Sequence, residues 1–228
     1  MRIDLHTHSI YSDGADTPEM MVARAKAIGL DGMAITDHNT TKGWKRTIDA
    51  GKRLGVVIVP GQEISLRKGK KKVGEILALF LEKEITKNQL SQADDIIDDI
   101  RKQDGISVIP HLFNPFWWRM EGTEVITTAG KKGKKVDAIE VINGMNTESD
   151  NRRSDAFATK HGYAKTAGSD AHIAMNIGKA YTICDTNDVE EFRKCIKKKQ
   201  TFVMGTQRKV YELLGDIANC KIRRALRF

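Results

Sequence analysis

Short apolar runs rich in β-branched residues alternate along this chain with longer stretches of helical period, the pattern left by successive strand and helix units. The runs predict strands at Ile3 to Leu5, Gly32 to Thr36, Val56 to Pro60, Ile76 to Leu81, Ile106 to Pro110, Ala138 to Ile142 and Tyr163 to Ala167. Helix signals lie between them. Thr17-Pro18-Glu19 reads as an N-cap with proline at the first helical position, and Met20, Met21, Ala23, Ala27 and Ile28 supply a face to bury before Gly29. From Ser91 to Lys102, Ile96, Ile97 and Ile100 form one stripe, while Asp94, Asp95, Asp98 and Asp99 read as the solvated face opposite it. Strands that each lead into a helix or loop fit an α/β chain closed into a small, distorted (β/α) barrel better than an open sheet with one crevice.

No internal repeat or low-complexity linker interrupts residues 1–204, which read as one domain. Residues 205–228 differ. Arg208, Lys209, Lys221, Arg223, Arg224 and Arg227 stand against Glu212 and Asp216, and Val210, Leu213, Leu214, Ile217 and Ala218 recur at helical spacing. This predicts a basic, amphipathic C-terminal helix packed on the body.

Composition narrows the class without choosing a function. With 228 residues, 40% hydrophobic and 30% charged, the chain is an ordinary globular protein rather than a disordered or fibrous one. The excess of 38 Lys+Arg over 30 Asp+Glu gives +8 and attracts phosphate-bearing partners. Cys184, Cys195 and Cys220 are odd in number and form no CxxC pair, so the expectation is no disulfide framework and a reducing compartment. Met1 runs directly into the first strand and no apolar run approaches membrane-spanning length, so the expected location is cytoplasmic, with no membrane partner. Nothing in the sequence signals an obligate protein partner.

The histidines sharpen the picture. Five of six fall just past a predicted strand: His6, His8, His38, His111 and His172. Glu63 follows Val56 to Pro60 in the same way, and Asp170 follows Tyr163 to Ala167. In a parallel barrel the carboxyl ends of the strands open on one face, so these distant residues converge there. His6 and His8, two apart, lie on one side of an extended chain, and Asp170 and His172 repeat that spacing. Imidazoles and carboxylates without thiolates suit zinc, manganese or iron, and the acids can bridge more than one ion. His161, before Gly162, reads instead as a helix-end residue.

Four motifs then carry a family likeness: His6-Thr7-His8-Ser9 with Ser12-Asp13-Gly14, Ile35-Thr36-Asp37-His38, Pro60-Gly61-Gln62-Glu63, and Ala167-Gly168-Ser169-Asp170-Ala171-His172. In this order they resemble the PHP superfamily, the polymerase and histidinol phosphatase metal-dependent phosphoesterases. The resemblance implies a distorted (β/α)7 TIM-like barrel holding two or three divalent ions, zinc, manganese or iron, with magnesium also possible. His6, His8, Glu63 and Asp170 would hold the first ion, Glu63 and His111 the second, and Asp13, His38 and His172 the third. The sequence departs from the family where Glu75 stands at a place often held by a histidine; it could ligate through oxygen or be a salt-bridged strand acid. Leu112 stands where proline is frequent, which bears on the shape of that loop.

The activity implied is hydrolysis of phosphate esters by a metal-activated hydroxide at a di- or trinuclear site, with Asp13, His38, Glu63 and His172 among the residues that generate and place it. Asp37 could orient an imidazole or cap a turn. Arg119 could make a bidentate phosphate contact or be a surface arginine. Asn143, at the active-face end of its strand, could meet substrate. Trp117 and Trp118 could stack on a base but better fit packing or loop anchoring. The basic runs Arg67 to Lys72 and Lys131 to Lys135 read as exposed turns that could steer a polyanion, and Arg193 to Lys199 as a helix end. The expected substrate is a small phosphorylated metabolite or nucleotide. The alternatives are an exonuclease on short RNA or DNA, and a nucleic-acid-binding module with structural metals.

Overall fold

The computed structural model describes residues 1–113, 126, 135–206 and 210–226. Its elements are β1 (Arg2–Asp4), α1 (Pro18–Ala27), β2 (Gly32–Ile35), α2 (Trp44–Leu54), β3 (Val57–Lys68), β4 (Lys71–Leu79), α3 (Ala93–Arg101), β5 (Ile106–Ile109), β6 (Ala138–Asn143), α4 (Glu148–His161), β7 (Ala164–Gly168), β8 (Ala180–Ile183), α5 (Val189–Lys197), β9 (Phe202–Gly205) and α6 (Val210–Ala225). The local chemistry of the caps explains several boundaries. Thr17 accepts the Met20 N–H ahead of Pro18, Thr147 accepts that of Asp150, and Gly162 stops α4 at a φ of +67°.

The strands form one sheet in the order β7-β6-β5-β4-β3-β2-β1-β8-β9. β1, β2 and β3 run parallel, as do β5, β6 and β7. β4 runs against both of its neighbours. The expectation that the strand near Ile76 is one more parallel strand is thereby corrected: only Gly69 and Lys70 separate β3 from β4, too few for a crossover, so the chain turns back as a hairpin. The tip of this hairpin is the basic run at Arg67 to Lys72, exposed as far as Lys71 with Lys72 half-buried. β8 and β9, unforeseen from the sequence, add two antiparallel strands beyond β1.

The sheet curls until its ends meet. His8 donates to the Ala171 carbonyl at 2.8 Å and Asp170 to the His6 carbonyl at 2.8 Å, so the chain beyond β1 lies against the chain beyond β7. Thr182 of β8 adds a second seam, its hydroxyl accepting from the Ala167 N–H at 2.8 Å and donating to the Ala167 carbonyl at 3.0 Å. The distorted barrel expected from the sequence is thus borne out, in a mixed rather than wholly parallel form.

Ile3, Leu5, Ala34, Val59, Leu77, Val108, Ala138 and Ala164, from seven different strands or their ends, pack the interior. Phe192 and Ile196 of α5 join them at the end where the parallel strands begin. Outside, α1 and α2 cover one flank through Met21, Val22 and Ala50, and α3 and α4 another through Ile96, Ile97, Ile100 and Ala158. Side-chain alternation produces these two-sided strands: Leu77 and Leu79 enter the interior while Ile76 and Ala78 meet the outer helices.

Two further expectations change. Cys184 and Cys195 form a disulfide, with Cα atoms 6.5 Å apart, because the loop after β8 returns α5 onto the end of that strand; the compartment reading loses the support it drew from unpaired cysteines. Asp94, in the first turn of α3 beside the buried Ala93, is itself buried rather than solvated, whereas Asp95 is exposed. Among the described residues no helix is long and apolar enough to cross a membrane.

Candidate metal centre

The histidines beyond β1, Glu63 within the long β3 and Asp170 beyond β7 meet at the carboxyl end of the parallel strands. His6 Nε2 lies 3.1 Å from His8 Nε2. Asp170 Oδ1 is 3.5 and 3.2 Å from these nitrogens, and Glu63 Oε2 is 3.4 and 3.3 Å from them. Beside this group, Glu63 Oε1 is 3.0 Å from His111 Nε2, and Glu75 Oε2 is 3.5 Å from the same nitrogen. His38 turns Nδ1 toward Glu63 at 3.0 Å and Glu75 at 3.4 Å, and Nε2 toward Asp13 at 3.6 Å. Asp13 Oδ1 also meets His172 Nε2 at 3.2 Å. The donors fall into three groups, His6/His8/Asp170, His38/Glu63/Glu75 and His8/Asp13/His38/His172, with the donor atoms of each group within 4.8 Å of one another. His8 and His38 each belong to two groups through opposite ring nitrogens.

This geometry fits divalent cations. Nitrogen and oxygen donors without sulfur suit zinc, manganese or iron. Two imidazole nitrogens and two carboxylate oxygens pointing at one another repel unless protons or a cation sit among them. The outer ring of contacts leaves the inner nitrogens free to ligate: His6 Nδ1 faces Glu140 Oε1 at 3.1 Å and His172 Nδ1 faces the Asp170 carbonyl at 2.9 Å, so donation there leaves each Nε2 with its lone pair. His8 Nδ1 is buried with no hydrogen-bond partner among the described residues, and His38 Nδ1, though 3.0 Å from Glu63, is not aligned for a hydrogen bond to it.

Without cations the cluster holds its charge by sharing protons. Burial opposes the charge on His8, but its hydrogen bonds to Asp170 and Glu63 outweigh it and lift the pKa to about 10. Burial likewise opposes charge on His111, and Glu63 carries it to about 9. His38 is pushed down, by burial first and by the neighbouring His8 charge. For Glu63 and Asp170 burial works against ionisation, yet the surrounding histidines hold both carboxyls well below their usual range.

The backbone is tightly specified here. Asp170 has a φ of +54° and His111 a φ of +32°, a region non-glycine residues rarely enter and which costs roughly 1–3 kcal/mol each. The Asp170 N–H is fixed on the His6 carbonyl, and the His111 N–H on Glu140 Oε2 at 3.0 Å. Gly168 allows the close approach of β7 to β1: a Cβ there would stand 2.4 Å from the His6 Cβ.

Glu140 is the residue that sequence reading missed. It is 1% exposed in the middle of β6, contacts His6 and His111, and accepts from Asn143 Nδ2 at 2.8 Å. A single acid inside the apolar run Ala138 to Ile142 was its signal, since charged residues are almost never fully buried unless paired. Asn143 also donates to Asp170 Oδ2 at 3.2 Å and is 1% exposed, so its amide is engaged with ligand-bearing residues rather than presented to a substrate. Asp37 accepts from the Ser9 N–H, the Ser9 hydroxyl and the Ser12 hydroxyl at 2.7–2.8 Å, which makes it the cap of the His8 to Asp13 turn and not an orienter of imidazole. Glu75 combines both readings offered for it, facing His38 and His111 while pairing with Lys72 at 2.6 Å. Leu112 is fully buried. His161 ends α4, with its ring against Phe157. Arg119, Trp117, Trp118 and residues 131–134 lie outside the described residues. The cluster opens into a cavity of about 160 Å³, with His38, Glu63, Glu75, His111, Asp170 and His172 along one side.

A family model described as PHP-associated matches residues 148–201. An uncharacterized protein of Methanocaldococcus jannaschii is 34% identical over 126 residues, covering 50% of this chain and 70% of that one. The phosphoribosyl 1,2-cyclic phosphate 1,2-diphosphodiesterase of Eggerthella lenta is 45% identical over 62 residues, 27% of this chain but only 24% of the enzyme. Among solved structures, a two-domain protein from Bacteroides vulgatus containing a predicted PHP-like metal-dependent phosphoesterase superposes with a TM-score of 0.69 at 18% identity, over 90% of this chain and 64% of that one.

Proposed function

The chain belongs to the PHP superfamily, and from that premise we propose that it is a hydrolase of phosphate esters working with two or three divalent cations. One observation carries the proposal: His6 Nε2 and His8 Nε2 lie 3.1 Å apart and each 3.2–3.5 Å from Glu63 Oε2 and Asp170 Oδ1, with His6 Nδ1 held from behind by Glu140. Cations bound among these donors would polarise the phosphoryl oxygens and make a hydroxide nucleophile available near neutral pH.

The chain's own residues do the positioning. Glu63 turns one oxygen to His6 and His8 and the other to His111, so it is suited to join two ions. Asp13 stands between His38 and His172 at the more open side, 39% exposed, where a third ion would meet solvent and substrate. Glu75 would complete the His38 and His111 side through oxygen, with Lys72 screening its charge. Glu140 and Asn143 fix the orientations of His6, His111 and Asp170. The substrate class is a small phosphorylated metabolite or nucleotide.

The test loads the protein with Mn²⁺, Zn²⁺ or Mg²⁺ and follows an aryl phosphate monoester, a diester and a labelled oligonucleotide. Turnover of at least one ester is expected, and it should vanish in the triple variant Asp13→Asn, His38→Gln, His172→Gln while the circular dichroism spectrum is kept. Metal binding without turnover of any of the three would overturn the reading in favour of a binding module.

A further inference from the structure

The basic C-terminal helix comes to rest against the metal centre. Asp216, Ile217, Cys220, Lys221 and Arg224 of α6 line the same cavity as the donor cluster. Several independent contacts hold the helix there. Arg223 reaches both oxygens of the buried Asp16 at 2.7 Å, Lys179 pairs with Asp216 at 2.9 Å, and Leu213 is buried. Cys220 Sγ lies 3.7 Å from the carbonyl oxygens of Asp13 and His172, the backbone of two residues in the donor cluster.

Docking accounts for Arg223 but not for its neighbours. Ile217, Lys221 and Arg224 recur at positions that share one helix face, the face turned to the cavity. Lys221 and Arg224 make no hydrogen bond or ion pair with a described residue, unlike Arg223 and Lys179 on the same side of the molecule. Two cations without a partner among the described residues, lining the same cavity as the donor cluster, are placed for an anion that is not part of the protein. The cavity is small. At about 160 Å³ it compares with the ~150 Å³ engineered cavities that admit one aromatic ring.

Resting on the phosphoesterase reading above, we propose that α6 forms a cationic roof, in which Lys221 and Arg224 grip a second acidic group of the substrate while its scissile phosphoryl group lies at the metal centre. The substrate is then a small molecule with acidic groups at both ends. The second group is a carboxylate or a phosphate, since both satisfy the same pair of cations. On this proposal a small molecule is preferred to a nucleic acid strand entered at an internal position.

The experiment compares full-length wild type with Lys221→Gln, Arg224→Gln and the double variant, all loaded with Mn²⁺. Hydrolysis is measured on phenyl phosphate, 4-carboxyphenyl phosphate, 1,4-phenylene bisphosphate and a circular single-stranded oligonucleotide. Binding is measured calorimetrically with phenylphosphonate and 1,4-phenylenebisphosphonate, which are not turned over. Wild type should favour a doubly acidic probe over its singly acidic counterpart by about tenfold or more, the order expected of a charge-assisted contact. The double variant should lose most of that ratio in both hydrolysis and binding, and the arm that loses more, carboxylate or phosphate, identifies the group. Equal losses on singly and doubly acidic probes would mean that α6 acts only by holding the fold, and would overturn the proposal; so would efficient cutting of the circle. If no ester is hydrolysed but the bisphosphonate preference exists and depends on Lys221 and Arg224, the anion grip stands and the phosphoesterase reading falls.

Discussion

At the scale of single residues, the candidate metal centre is held in shape by groups outside its donor clusters. Glu140→Gln keeps the shape of the side chain but removes the carboxylate that faces His6 Nδ1 and the His111 N–H. We expect metal affinity or turnover to fall about 10–100-fold, with unfolding little changed, measured by competitive metal titration beside kcat/KM. Gly168→Ala acts through space. Its added methyl would clash with the His6 Cβ at 2.4 Å, and the repacking should cost about 1–3 kcal/mol, read from a denaturant midpoint, together with weaker metal binding. The convergence of the candidate donors was legible because chemistry and position coincide: His6, His8, Glu63 and Asp170 follow apolar runs and are residue types that can bind metal. Glu140 was not, because it interrupts a run instead of following one, and an isolated strand acid has no periodicity to betray it. Asn143 was located correctly at a strand end, but its burial and its bonds to Glu140 and Asp170 arise from contacts made after the sheet has formed.

Among the elements, those with a clear period were readable. Ile96, Ile97 and Ile100 form the buried stripe of α3, each 0% exposed. Ile97→Ala should destabilise the protein by about 2–5 kcal/mol through the cavity it leaves, whereas Asp95→Ala on the exposed face should shift the midpoint little; chemical denaturation of the two variants checks this. The direction of β4 was not readable. Apolar periodicity marks a strand without saying which way it runs, and the decisive signal was the shortness of the Gly69-Lys70 turn. β8 and β9 are four residues each, too short for alternation to show, and pair through contacts set by the curl of the sheet. The disulfide escaped for the same reason, since only the return of α5 brings Cys195 to Cys184.

For the whole molecule, removal of metal should be felt as a loss of stability. A site held at about 100 times its dissociation constant contributes about 2.7 kcal/mol, which for a chain of this size is roughly 5–10 °C in Tm. Dialysis against a chelator should lower the melting temperature by that order, and Mn²⁺ or Zn²⁺ should restore it. The +8 charge predicts a second global effect: kcat/KM on an anionic ester should fall several-fold as salt rises from about 0.01 to about 0.15 M and the screening length drops from about 30 to about 8 Å, measured at constant pH. The seam of the barrel has a consequence for the order of assembly. The Asp170 N–H meets the His6 carbonyl, and the His8 N–H meets the Ala171 carbonyl, so the first donors made on the ribosome wait for partners more than 160 residues downstream. Contacts of such long sequence separation form slowly. Closure of the His6/His8/Asp170 group should therefore come late in folding, and a ribosome stalled before residue 170 would carry His38, Glu63 and Glu75 but neither Asp170 nor His172.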